Sequence, residues 1–235
     1  MKEGINISEH RGHLKEGVKP IFVCIGTLED FRKSKEFDEE SFKKADYSHL
    51  DNNFGLVNRD NDNLENIDWF GKEHEFQENG FLHAGEGTYV MSQVNGSNKM
   101  SDAIFSCTSL IVGGIEQGTN KNISFLTHQV STPRFLNKAQ FLNDLKLRLD
   151  EVKDKCIPQT VDAVILGGHT DGGLAGVDYH QAVDLISEEV QSFFTFKPKI
   201  INGPKTIAHE EDVVFYDNDN RRVYFIRPEI NQEKK

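Results

Sequence analysis

Three residues of this chain combine types and spacing that suit acyl-transfer chemistry: Ser101, Cys107 and His128. Cys107 lies in 101–112 (SDAIFSCTSLIV), among small hydroxyl residues at the head of an apolar run. His128 closes the next apolar run, 123–128 (ISFLTH). Two consecutive strands joined by a loop can pair antiparallel, and the head of the first then lies beside the end of the second. That juxtaposition would set a thiol beside an imidazole. A base within reach of a thiol lowers its pKa and yields the thiolate, a nucleophile for a carboxamide carbon. A third group must orient the imidazole, a role open to Ser101 or a backbone carbonyl. Taken singly the residues are ordinary. A lone cysteine in a β-rich segment is more often a small core residue, and a histidine at a strand end is more often solvated or satisfied in the core.

The elements that must position these groups are legible as periodicity. Residues 87–94 and 122–129 read as strands, and 103–115 contains one ended by Gly113-Gly114; a turn over 118–121 precedes the strand at 122–129. Residues 137–153 read as an amphipathic helix, with Phe141, Leu145, Leu149 and Val152 as its stripe and Asn137 as its N-cap. A strand over 160–166 ends in Gly167-Gly168. A second helix over 178–194 carries Val183, Ile186, Val190 and Phe193 on one face. A short strand at 199–201 and a hairpin of 212–217 with 221–227 across the Asn218-Asp219-Asn220 turn close the chain. Paired strands at both ends of this order predict an α+β protein rather than a doubly wound α/β sheet.

Ahead of this regular part, 1–85 reads as an N-terminal extension packing on a main domain of 86–228, with 229–235 as a flexible tail. The extension holds one good strand, 21–25, a short acidic helix over 36–44 and an Asp/Asn-rich loop over 51–63; Trp69 and Phe70 give it something to bury.

Composition excludes several classes. The 235 residues carry 27 Lys and Arg against 38 Asp and Glu, a net charge of −11 that repels phosphate backbones and makes nucleic acid an unsuitable partner. No window of 18 uninterrupted apolar residues offers a membrane span. The polar N-terminus has no apolar segment of the kind a cleavable secretory signal needs, so synthesis in the cytoplasm is expected, with export as an effector by another route left open. Apolar residues are only 37% of the chain, but 17 Phe concentrate the apolar volume. Three separated cysteines form neither a disulfide framework nor a metal clamp. Cys24, between Phe22, Val23 and Ile25, is expected in the core, and Cys156 is expected to be structural.

Other polar clusters are weaker. His169-x-Asp171, in the glycine-rich 167–173 segment, offers too few ligands for a metal. His10-x-x-His13 reads as a solvated pair near a terminus, and 51–63 lacks the glycine and closing glutamate of a calcium loop. No cofactor is expected.

The spacing of Ser101, Cys107 and His128, together with the segments C-terminal to them, resembles the chemoreceptor glutamine deamidases (CheD) and the wider deamidase fold of the cytotoxic necrotizing factor and Burkholderia lethal factor toxins. Those proteins have a hydroxyl residue, then a cysteine six positions on, then a histidine at the end of the next strand. The resemblance continues in order through Thr132-Pro133, the helix over 137–153, the 163–168 strand ending in Gly-Gly, the second helix and the closing hairpin, covering roughly 86–228. It implies a layered β-sandwich core flanked by helices. It further implies thiol-dependent deamidation of a glutamine side chain on a partner protein, with Cys107 as nucleophile, His128 as base, Ser101 as its orienting group and no cofactor. Phe105 stands where the family has glycine, Ser101 where it has threonine, and 1–80 has no counterpart. A catalytically silent binding module on the same fold, or another thiol acyl transfer such as transglutamination, is the alternative.

Overall fold

The structure, a computed structural model, describes residues 12–48, 54–55, 89–104, 107–129, 138–167, 174–202 and 212–227. Ten strands and four helices lie among them. In chain order they are β1 (Phe22–Gly26), α1 (Leu28–Arg32), α2 (Glu39–Ser48), β2 (Phe54–Gly55), β3 (Tyr89–Ser92), β4 (Lys99–Ile104), β5 (Thr108–Ile115) and β6 (Asn122–Gln129). There follow α3 (Lys138–Lys155), β7 (Asp162–Gly167), α4 (Leu174–Phe194), β8 (Lys199–Ile201), β9 (Asp212–Asp217) and β10 (Arg222–Ile226). They form an α+β protein with two sheets, ordered β1-β10-β9-β4 and β2-β3-β6-β5-β7-β8. Pairing is antiparallel except for β1 with β10 and β7 with β8.

Strands β5 and β7 are neighbours in the interior of the six-stranded sheet, and both are buried along almost their whole length. A strand covered on both faces reads as a continuous apolar run rather than an alternation, which is what 110–112 and 163–166 show. The period of two still sorts the side chains. Leu110, Val112, Phe125, Ala163 and Ile165 face a core shared with Phe141, Leu145, Leu149 and Val152 of α3 and Val183, Ile186 and Val190 of α4. Ile111, Leu126, Val164 and Leu166 face the other way, onto Val23, Val214, Tyr216, Val223 and Phe225 of the four-stranded sheet. A third apolar cluster on the outer side of that sheet gathers Phe31 and Phe37 against Phe215 and Tyr224. At about 25 cal/mol per Å² of apolar surface, these layers dominate the stability of the fold.

The segment 103–115, expected to contain one strand, holds the end of β4 and all of β5. β4 belongs to the four-stranded sheet and β5 to the six-stranded one, and the chain crosses between the sheets in the short connection that contains Cys107. β5 also runs through Gly113-Gly114 to Ile115 rather than stopping there. The glycines answer to packing: a Cβ at 114 would lie 2.7 Å from Cys156 Sγ, and one at 113 would lie 3.0 Å from Tyr216 Oη. The N-terminal strand is hydrogen-bonded into the sheet, beside β10, with Phe22 opposite Arg222 and Gly26 opposite Ile226. Within 51–63, Phe54–Gly55 pairs with β3. The rest of that stretch, Trp69, Phe70, the Asn137 cap and the 229–235 tail lie outside the described residues. No helix among the described residues is long and apolar enough to cross a membrane.

Candidate active site

The site lies at the end of the sandwich where β5 begins and β6 ends. Their outermost rung pairs Thr108 with Gln129; the next pairs Ser109 with His128. Residues opposed in an antiparallel pair point to the same face, so His128 shares the inter-sheet face with Ser109, as Leu126 shares it with Ile111. Cys107 sits one position beyond the last rung, on the parity of Ser109 and Ile111. A residue displaced by two along the partner strand is a diagonal neighbour, about 7–8 Å away between Cα atoms, near enough for a thiol and an imidazole to meet.

Ser101 reaches this point from the other sheet. It pairs with Val214 on β9, and Val214 faces the inter-sheet core. Its Oγ lies 2.9 Å from His128 Nδ1. The hydroxyl and the imidazole thus bridge the two sheets at the depth of the core. Ser101 and Cys107 are 4% and 8% exposed and His128 is fully buried, so the group works in a low-dielectric setting where hydrogen bonds to the imidazole are strong. Sequence reasoning named these three residues. The crossing between sheets takes the chain from Ser101, which meets His128 from the four-stranded sheet, to Cys107, one position ahead of the β5 rung that pairs Thr108 with Gln129.

Other residues at this end were not singled out. Asp212 is 1% exposed, pairs with Ile104 and shares the parity of Val214; its Oδ2 is 3.6 Å from Arg227 Nε. A carboxylate on the core parity of 212–216 was the available signal. On the opposite, helix-facing side of β5 and β6 at this end, Thr108, Thr127 and Gln129 are fully buried and linked by hydrogen bonds through Gln129. Threonine is a common strand former, which masks this row in the sequence.

The remaining thiols are unlike Cys107 in setting. Burial pushes the Cys156 thiol up to about 12 and raises that of Cys24 as well, the Arg222 guanidinium only partly offsetting the second. Both are poor nucleophiles at neutral pH. None of the three cysteines is in a disulfide. His13 stacks on Phe196 with ring centroids 3.9 Å apart and donates to Val161 O at 3.2 Å, so it is a packing residue rather than half of a solvated pair. His10, Phe105, Ser106, Thr132, Pro133, His169 and Asp171 lie outside the described residues. Among the described residues no group of three His, Cys, Asp or Glu side chains is placed to hold a metal ion. An open groove of about 780 Å³, lined by Lys19, Phe22, Lys35, Phe37 and Arg222, lies at the other end of the four-stranded sheet and takes no part in this chemistry.

No protein-family model matches the chain, and no curated protein matches it.

Proposed function

We propose that the chain deamidates a glutamine side chain of a partner protein through Cys107 and His128, on a fold of the CheD and toxin deamidase type. The observation that carries the reading is the buried 2.9 Å contact of Ser101 Oγ with His128 Nδ1 on the strand beside Cys107. An Nδ1–H donated to the serine oxygen leaves Nε2 as the basic nitrogen, the arrangement a cysteine nucleophile requires. His128 Nε2 takes the Cys107 proton, and the thiolate forms a bond to the carboxamide carbon. Backbone N–H groups beside Cys107 hold the resulting oxyanion. Collapse breaks the C–N bond as His128 returns its proton to the departing ammonia, leaving a thioester. Water, deprotonated by His128, then attacks the thioester; glutamate is released and the Cys107 thiol restored.

The order of elements supports the same reading: a crossing segment with the cysteine, a strand with the histidine one residue from its end, a helix, a strand ending at Gly167, a helix and a closing hairpin. The net charge of −11 favours a neutral or basic protein as substrate. The low exposure of Cys107 and His128 favours the second reading, a binding module whose thiol is structural. Incubation with an unfolded, glutamine-rich protein such as reduced casein separates them. The account expects ammonia and a glutamine-to-glutamate mass change from the wild type, both absent from Cys107→Ser. Ammonia released equally by Cys107→Ser sinks the proposal, and capture of an added primary amine in place of water moves the outcome to transglutamination.

A further inference from the structure

Behind the Cys107–His128 face, the helix-facing side of β5 and β6 carries an apolar row that turns polar only at its last two rungs. Along β6 the row is Ile123, Phe125, Thr127, Gln129; along β5 it is Val112, Leu110, Thr108. The polar members are fully buried and form one hydrogen-bond chain. Leu110 N donates to Thr127 Oγ1 at 3.2 Å. Thr127 Oγ1 donates to Gln129 Oε1 at 2.6 Å. Gln129 Nε2 donates to Thr108 Oγ1 at 2.6 Å. The chain crosses from β5 to β6 twice, at the rung that holds Thr108 and Gln129 and again between Leu110 and Thr127.

We infer that Gln129, held between Thr127 and Thr108, is a positioning residue that fixes the spacing of Cys107 and His128. Members of the chain adjoin both reacting groups in sequence: Thr108 follows Cys107, and Thr127 and Gln129 flank His128. The terminal rung of a strand pair is where fraying begins, and a diagonal thiol–imidazole pair tolerates little of it. A displacement of about 1 Å in such a pair can lower a rate by roughly 100-fold. Apolar side chains would fill this row as they fill the rungs beside it. Hydrogen bonds do what they cannot, because in this dry layer an opened bond leaves a buried donor or acceptor unsatisfied and the stitch is held shut.

The inference rests on the thiol–imidazole reading, and its test keeps the two apart. The rate of Cys107 alkylation by iodoacetamide is followed against pH by mass spectrometry, with the thermal midpoint measured in parallel. Thr127→Val keeps the shape and removes the donor to Gln129. Gln129→Leu removes the bridge. Thr108→Val, which removes the acceptor at the far end, serves if either fails to fold. The expected result is a pH midpoint for Cys107 moved up toward that of an ordinary thiol, with alkylation at pH 7 slowed about tenfold or more. Thr127→Ser, which restores the hydroxyl, brings the midpoint back. A lowered thermal midpoint with an unmoved pH midpoint in the valine and leucine variants overturns the inference and leaves a purely structural row. His128→Ala gives the separation: if it moves the Cys107 midpoint and Thr127→Val does not, only the positioning role fails; if it moves nothing, the thiol–imidazole reading fails and this inference with it.

Discussion

The two ends of the sandwich are built on opposite plans. At the end away from Cys107 the strands are joined by described turns, and side chains tie these turns together. Asn218 accepts from Ser124 Oγ at 2.7 Å and donates to Asn122 O at 2.7 Å and Gly96 O at 3.1 Å, while its own N–H donates to Asn98 Oδ1. Arg221 Nη2 donates to Thr160 O at 2.9 Å, and Asp162 accepts from the backbone of Ile21 at 2.7 Å. At the Cys107 end β6 and β8 feed longer connections, 130–137 and 202–211, and the described polar groups serve individual side chains: Ser101 on His128, Gln129 on Thr108. The contrast teaches a division of labour. One end knits the sheets into a rigid body, and that body holds a thiol and an imidazole at the other end, where the longer connections start.

If that division holds, substitutions at the two ends should separate activity from stability. The largest effect is expected from His128→Ala. Glutamine deamidation should fall roughly 100- to 10,000-fold, the range of a lost general acid–base, measured as ammonia release at a temperature where the variant stays folded. Asn218→Ala should do the reverse. It removes several buried hydrogen bonds at once and should lower stability by about 2–4 kcal/mol in denaturant unfolding, leaving the pH midpoint of Cys107 alkylation where it was. An Asn218→Ala variant with normal stability, or one whose thiol chemistry has shifted, would break the comparison.

Lys99 sharpens it from the other direction. The side chain is fully buried, donates to Ser97 O at 2.8 Å and to Asn95 Oδ1, and is lowered by desolvation to about 7 from an ordinary 10.5. The folded chain gives up this proton near pH 7 and the unfolded chain near 10.5. Between those values the unfolded state binds more protons, so the Lys99 contribution makes stability rise with pH; below about 7 both states are charged and the full penalty applies. Lys99→Met should therefore be more stable than the wild type at pH 6, by about 1–3 kcal/mol after its lost hydrogen bonds, and should flatten the rise of stability from pH 7 to 10. A variant that keeps the wild-type pH slope would show that Lys99 stays charged in the fold.

Much of this was legible in the sequence, for physical reasons that also mark where legibility stopped. The stripes of α3 and α4 follow the 3.6-residue period because each helix buries one face, and those side chains do line the core. The closing hairpin could be read from its Asn218-Asp219-Asn220 turn, although Arg221, with φ of 52°, also belongs to that turn. The break between β4 and β5 was not legible. No glycine or proline interrupts 103–107, and a crossing between sheets leaves no periodicity of its own. The parallel pairing of β1 with β10 joins residues at opposite ends of the chain, which local pattern does not encode. The types and spacing of Ser101, Cys107 and His128 pointed to the candidate site. The contact of Ser101 with His128 needed the second sheet, and the Thr108–Gln129–Thr127 row needed the register.

The central claim, that His128 activates Cys107, is tested most directly by site-resolved alkylation of all three cysteines across pH. Burial raises the thiols of Cys24 and Cys156, so these two should react slowly at pH 7 and serve as internal references. The account predicts that Cys107 reacts with a midpoint below the ordinary thiol value of about 8.5, and that His128→Ala raises it. A Cys107 midpoint at or above the ordinary value, unchanged in His128→Ala, would contradict the account.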